Sequence, residues 1–131
     1  MSRAASRVTW IAAGAALVIL AITLPRAAPS NPDRVREIHL VARDMTYYID
    51  GQNGPNPTLR LSRGERVRVR LINRDPGMSH DFSVRTWNTG TSLIANGEQA
   101  VLEFTAPDTP GETAYACTPH GEMMRGTIRV E

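Results

Sequence analysis

The stretch RVRVRLIN, Arg66–Asn73, has the strictest periodicity in the chain and predicts its fold class. Val67, Val69 and Leu71 alternate with three arginines, so one face is apolar and the other is charged. A period of two with a single apolar face is typical of a half-buried β-strand. The arginine row is either the solvated face of this strand or a docking patch for an acidic partner.

Short segments of similar character lie on both sides of this strand, separated by glycine and proline. They are VREIHLVA (35–42), TLRLS (58–62), HDFSV (80–84), AVLEFTA (100–106), TAYAC (113–117) and GTIRVE (126–131). Six or more short strands with turn signals between them indicate a sandwich or barrel. We therefore predict one all-β domain over residues 35–131, in which the segment between Asp44 and Pro57 has no clear assignment.

The N-terminal part of the chain has the features of a membrane segment. Residues 8–24 contain no charge and follow Arg3 and Arg7; as a helix they would span about 25 Å. Basic residues that precede such a segment stay in the cytoplasm, so we expect the domain on the periplasmic or extracytoplasmic side. We predict a membrane anchor over residues 1–24, joined to the domain by a Pro-rich linker over residues 25–34.

A cleaved signal peptide is the alternative for residues 1–24. Cleavage requires small residues at the last and third-last positions of the peptide. The best candidate, cleavage after Ala28, would put Arg26 at the third-last position, which favours the uncleaved anchor.

The net positive charge of the chain comes from its N-terminal part. All 15 basic residues are arginines; four precede Val35, which leaves 11. Of the 13 acidic residues only Asp33 precedes Val35, which leaves 12 and a domain net charge of −1. A nucleic-acid partner therefore has no compositional support.

Residues that carry sulfur and imidazole cluster near the C-terminus. Within YACTPHGEMMRGTIRV, residues 115–130, four such side chains fall in eight positions: Cys117, His120, Met123 and Met124. Cys117 is the only cysteine, so no intrachain disulfide can form.

A second imidazole comes from NRDPGMSHDF, residues 73–82, where His80 follows a turn and begins a predicted strand. Two histidines and one cysteine, with a weakly bound methionine, are the ligand set of a mononuclear copper site for electron transfer. Soft sulfur suits Cu(I) and imidazole suits both oxidation states, so one geometry can serve both.

These two segments resemble the cupredoxin family, the small blue copper proteins such as amicyanin, plastocyanin and azurin. CTPH at residues 117–120 and MRGT at residues 124–127 resemble the family's ligand loop, and PGMSHDF at residues 76–82 resembles its first-histidine loop. The resemblance covers roughly residues 35–131 and implies a Greek-key β-sandwich that holds one type 1 copper ion. It implies His80, Cys117 and His120 as strong ligands and Met124 as the axial ligand, with Met123 as the alternative.

One position departs from the family pattern. Family members often carry Asn directly after the first histidine, where its amide ties the two ligand loops together. Here that residue is Asp81, and we expect it to face Thr118.

The resemblance implies a one-electron carrier that alternates between Cu(I) and Cu(II) and transforms no substrate, and the predicted anchor would tether it to the membrane. Its partners would be redox proteins, themselves associated with the membrane. An enzyme of the multicopper oxidase or nitrite reductase type needs further histidines for a catalytic copper, and only His39 is left over. The alternative is a copper-binding module for delivery, storage or sensing of the metal.

Overall fold

The computed structural model describes residues 34–131, which fold into two β-sheets packed face to face. The predicted anchor and all but the last residue of the predicted linker lie outside the described residues. No helix within residues 34–131 is long and apolar enough to cross a membrane. The strands are β1 (Val35–Arg43), β2 (Thr46–Ile49), β3 (Leu59–Leu61), β4 (Arg66–Asn73), β5 (Ser83–Val84), β6 (Thr89–Gly90), β7 (Gln99–Thr105), β8 (Gly111–Ala116) and β9 (Arg125–Val130).

The strand order places strands that are distant in sequence next to each other. The four-stranded sheet has the order β2-β1-β4-β7, and the five-stranded sheet has the order β3-β9-β8-β5-β6. β1 and β4 pair in parallel, whereas β4 and β7 pair antiparallel, as do β8 and β9. The all-β sandwich predicted from the sequence is confirmed, and this order is consistent with the cupredoxin fold.

β4 has the alternation that its sequence predicts. Val67, Val69 and Leu71 are buried in the core between the sheets. On the opposite face Arg68 pairs with Glu103 and Arg70 pairs with Glu37. These two arginines are thus part of an ion-pair ladder across neighbouring strands, which favours the solvated-face interpretation over a docking patch.

Two parts of the chain differ from the sequence-based assignment: one contains a strand that was not predicted, and the other has a shorter strand than predicted. The unassigned segment 44–57 contains β2, which pairs with β1 through a turn in which Asp44 and Met45 have φ of 52° and 56°. The predicted strand 80–84 is reduced to β5, because the backbone of the preceding residues bonds to a loop instead: His80 to Ile94 and Phe82 to Thr91.

Three aromatic side chains fill the core beneath the end of the sandwich at which β1 and β4 finish. Tyr47, Phe82 and Tyr115 are fully buried, and the rings of Phe82 and Tyr115 are stacked with centroids 5.1 Å apart. Gly126 lies opposite Tyr115 in the β8–β9 pair and leaves space for the tyrosine ring. Trp87 packs against Phe104 at the edge of the core.

Candidate metal centre

The candidate ligands come from two loops at the same end of the sandwich. His80 belongs to the His80 loop, residues 74–82, which connects β4 to β5 and turns at Gly77 with φ of 75°. Cys117 and His120 belong to the ligand loop, residues 117–124, which connects β8 to β9. The backbone N–H of Cys117 donates to the carbonyl of Met124 at 3.0 Å, so the β8–β9 ladder continues into the base of this loop.

The structure brings His80, Cys117 and His120 together although 37 positions separate the first two. Cys117 Sγ lies 3.7 Å from His80 Nδ1 and 3.5 Å from His120 Nδ1, and the three ligand atoms all lie within 4.8 Å of one another. Bonds of about 2.0 Å to nitrogen and about 2.3 Å to sulfur, meeting at a trigonal angle, place nitrogen and sulfur about 3.7 Å apart. The cluster therefore fits one metal ion. Within residues 34–131 no other group of three such side chains comes together.

The three candidate ligands differ in their access to solvent. Cys117 and His80 are fully buried, and burial raises the pKa of the Cys117 thiol. A bound metal ion has to displace the thiol proton, because the thiolate is the form that coordinates. His120 is only partly buried, so of these three residues it alone has access to solvent.

The two candidate axial methionines differ sharply in exposure. Met124 is fully buried in the core cluster, and its carbonyl bonds to the backbone of Cys117. Met123 is 56% exposed.

Comparison with known proteins agrees with the donor set. Residues 62–131 match the model of copper binding proteins of the plastocyanin/azurin family. The chain belongs to this family. A site of two histidines and one cysteine in a cupredoxin is consistent with one type 1 copper ion. None of the curated proteins is similar enough in sequence to match the chain.

Several solved structures are similar in fold to this domain. The Cu-containing nitrite reductase from Thermus scotoductus is 29% identical with a TM-score of 0.58, and the match covers 75% of this chain and 28% of that one. A haem–copper terminal oxidase chain is 19% identical, with a TM-score of 0.60 and coverage of 76% and 65%. Auracyanin A from Chloroflexus aurantiacus, a "blue" copper protein, is 18% identical, with a TM-score of 0.60 and coverage of 75% and 100%. This cupredoxin thus spans about a quarter of the nitrite reductase and two thirds of the oxidase chain.

Asp81 ties the two loops of the cupredoxin site together, as expected from its position after the first histidine. Its Oδ1 accepts the backbone N–H of Thr118 and its Oδ2 accepts the Thr118 hydroxyl, both at 2.6 Å. The hydroxyl of the buried Tyr47 donates to the backbone carbonyl of the same Asp81. The aspartate that replaces the usual asparagine therefore joins the loops through two accepted hydrogen bonds.

A second carboxylate, Asp75, lies on the other side of His80. Its Oδ2 lies 3.0 Å from His80 Nε2 and also accepts the N–H of Met45 at 2.8 Å. Desolvation by burial acts to raise the pKa of Asp75, but the hydrogen bonds from Met45 and His80 outweigh it, and the pKa lies below its ordinary value.

Sequence reasoning anticipated Asp81 but missed the other residues that support these ligands. Residues 44–57, which we call the supporting hairpin, contact both loops. Met45 and Tyr47 bond to the His80 loop, Asn56 donates through Nδ2 to the carbonyl of Met123, and Pro57 accepts the hydroxyl of Tyr115. The sequence signal for the hairpin was weak, because its turn places two non-glycine residues at positive φ.

Proposed function

We propose that this cupredoxin is a one-electron carrier that is tethered to the membrane and transforms no substrate of its own. The main observation behind the proposal is the cluster of Cys117 with two imidazoles. Cys117 and His80 are buried, whereas the ring of His120 is only partly buried and reaches the surface. Copper bound there would supply the one-electron couple Cu(I)/Cu(II).

The ligand set in this proposal is His80, Cys117, His120 and Met124. Burial supports Met124 as the axial ligand, because its side chain is enclosed in the core at the base of the ligand loop. The side chain of Met123 is largely in solvent.

Electrons would pass through the exposed edge of His120. Apolar side chains at this end of the sandwich are open to solvent: Met123 is 56% exposed in the ligand loop, and Leu93 is 55% exposed beside the strand bridge of His80 to Ile94. Apolar surface at this end of the sandwich would let a partner approach without desolvating charge.

The tether and the location are proposed from the sequence. An uncharged segment preceded by arginines would hold the domain on the periplasmic or extracytoplasmic side, next to redox partners in the same membrane. A one-electron carrier with such partners needs only two-dimensional diffusion along the membrane. Separation of cells into membrane and soluble fractions, with protease access from each side, tests this part.

The visible and EPR spectra of the full chain loaded with Cu(II) test the function. We expect an intense red-region absorption band with narrow copper hyperfine splitting, lost in Cys117→Ser and in His80→Ala. His39→Ala is the matched control, because His39 lies on the exposed face of β1, and it should keep the band. A weak band with ordinary splitting, or zinc bound in preference to copper, would instead favour a module for copper delivery, storage or sensing.

A further inference from the structure

The carboxylate of Asp75 contacts the ring of His80 on the side that faces away from Cys117. Asp75 Oδ2 lies 3.0 Å from Nε2 of His80, while Nδ1 of the same ring lies 3.7 Å from Cys117 Sγ. His80 is 0% and Asp75 is 8% exposed. Solvent and salt therefore screen this contact much less than they screen a surface ion pair.

The contact selects one tautomer of His80. An ionised carboxylate can only accept hydrogen bonds, so Nε2 must carry the hydrogen. In the neutral ring the lone pair is then on Nδ1, the atom that faces Cys117. The ring is thus held in the form that a metal ion at the cluster requires.

Asp75 is itself held firmly. Its Oδ2 accepts the N–H of Met45 in the turn of the supporting hairpin, and its own N–H donates to Asn73 Oδ1 at 2.8 Å. The Asn73 amide in turn donates to the carbonyls of Met78 and Ile94, which flank His80 in space. The bond from Met45 therefore restrains the carboxylate, and the bonds of Asn73 restrain the backbone that carries it.

The carboxylate of Asp75 contacts only one of the two candidate histidine ligands, His80. Among residues 34–131 no arginine forms an ion pair with Asp75, and His80 is its only charged or chargeable partner. No carboxylate in this range contacts the ring of His120. The two imidazoles of the site therefore differ: one has an anionic neighbour and the other has none.

We propose that Asp75 is a positioning residue for copper: it fixes the tautomer and orientation of His80 and places a negative charge against that ring, which favours Cu(II) over Cu(I). The inference rests on the proposed electron-carrier function and identifies a control on its reduction potential. A carboxylate that accepts from the distal nitrogen of a ligating histidine makes the ring a stronger donor, and a stronger donor stabilises the higher charge.

The test is Asp75→Asn in the full chain, with exposed Asp50→Asn as the matched control that removes one negative charge away from the ligands. The amide oxygen that Asp75→Asn introduces can still accept from Met45 and His80, so this variant removes the charge and keeps the bonds. Dissociation constants for Cu(II) and for Cu(I), and the reduction potential, are measured separately.

We expect Cu(II) affinity to fall about 10-fold to 100-fold and Cu(I) affinity to fall less. Each tenfold difference between the two losses raises the potential by about 59 mV for one electron. An equal loss of affinity for both oxidation states would reduce Asp75 to a structural role and overturn the proposal. So would a potential shift no larger than that of Asp50→Asn.

A second measurement does not depend on the variant folding. Nitrogen-15 NMR of the metal-free wild-type chain, in mildly alkaline buffer, should show His80 with its hydrogen on Nε2; a hydrogen on Nδ1 would contradict the proposal. If wild-type chain with Cu(II) lacks the intense absorption band, the proposed function itself fails. If the band is present and Asp75→Asn changes neither potential nor relative affinities, only this inference fails.

Discussion

Gly126→Ala should destabilise the domain because the space opposite Gly126 is filled by the ring of Tyr115. A Cβ at position 126 would lie 2.5 Å from Tyr115 Cε1 and inside van der Waals contact with Cζ and Oη. The ring cannot retreat, since it stacks on Phe82 at 5.1 Å and packs against Tyr47 at 5.4 Å. Something in the core must therefore shift to make room for the methyl group.

The magnitude follows from two contributions. Overpacking a well-filled core costs about 1–3 kcal/mol. Displacing the ring also weakens the hydrogen bond from Tyr115 to the carbonyl of Pro57, which contributes about 1 kcal/mol. We expect a loss of about 2–4 kcal/mol in the free energy of unfolding, a large part of the about 5–15 kcal/mol typical of a domain.

Denaturant unfolding of the metal-free full chain measures this loss. Gly111→Ala is the matched control: Gly111 lies in the same β8–β9 pair, but no atom lies within 4 Å of its added Cβ. It should change stability by less than about 1 kcal/mol and in the stabilising direction. In a Tyr115→Leu background the cost of Gly126→Ala should largely disappear. Equal costs in both backgrounds, or for both glycines, would refute the reasoning.

Further predictions concern the axial ligand, the hydrogen bonds of Asp81 between the two loops, and the buried tyrosines. Met124→Leu, a volume-conserving change that costs less than about 1.5 kcal/mol, should shift the reduction potential and visible spectrum, whereas Met123→Leu should leave both unchanged. Asp81→Ala should lower the unfolding free energy of the metal-free chain by about 1–3 kcal/mol, because it loses the two hydrogen bonds accepted from the ligand loop; an unchanged unfolding midpoint would contradict that role. Burial raises the pKa of Tyr47 and of Tyr115 above the ordinary value, so their contribution to stability is complete below about pH 10 and is lost as the pH rises above it. Replacing either by Phe should reduce the alkaline slope of the unfolding free energy by about 1.4 kcal/mol per pH unit; an unchanged slope would show that the hydroxyl ionises in the folded chain.

The supporting hairpin connects the two loops that carry the candidate ligands. It contacts the His80 loop through Met45 and Tyr47 and the ligand loop through Asn56. Within residues 34–131 no buried side-chain nitrogen or oxygen lacks a hydrogen-bond partner. Ligands held this way need to move little when the charge on the metal changes, which is what fast electron transfer requires.

The sequence by itself determined the strands whose residues alternate, the donor set and the kind of metal. Arg66–Asn73 could be assigned because its side chains alternate with a period of two, which is a local property. Cys117 and His120 could be paired because three positions in one loop keep them close. The resemblance of two short segments to a known family supplied His80, which spacing along the chain could not.

Apart from the contact of Asp81 with Thr118, only the tertiary structure decided which residues surround those ligands. Asp75 lies five positions before His80, and in the sequence it has the character of a turn residue. Its contact with Nε2 of His80 depends on the fold of the His80 loop, which packs against Met45. Met123 and Met124 are adjacent and chemically identical; the resemblance favoured Met124, and only the structure shows that Met124 is buried and Met123 exposed. The sequence specifies which donor atoms are available, whereas burial and hydrogen-bond partners depend on contacts between segments that are distant along the chain.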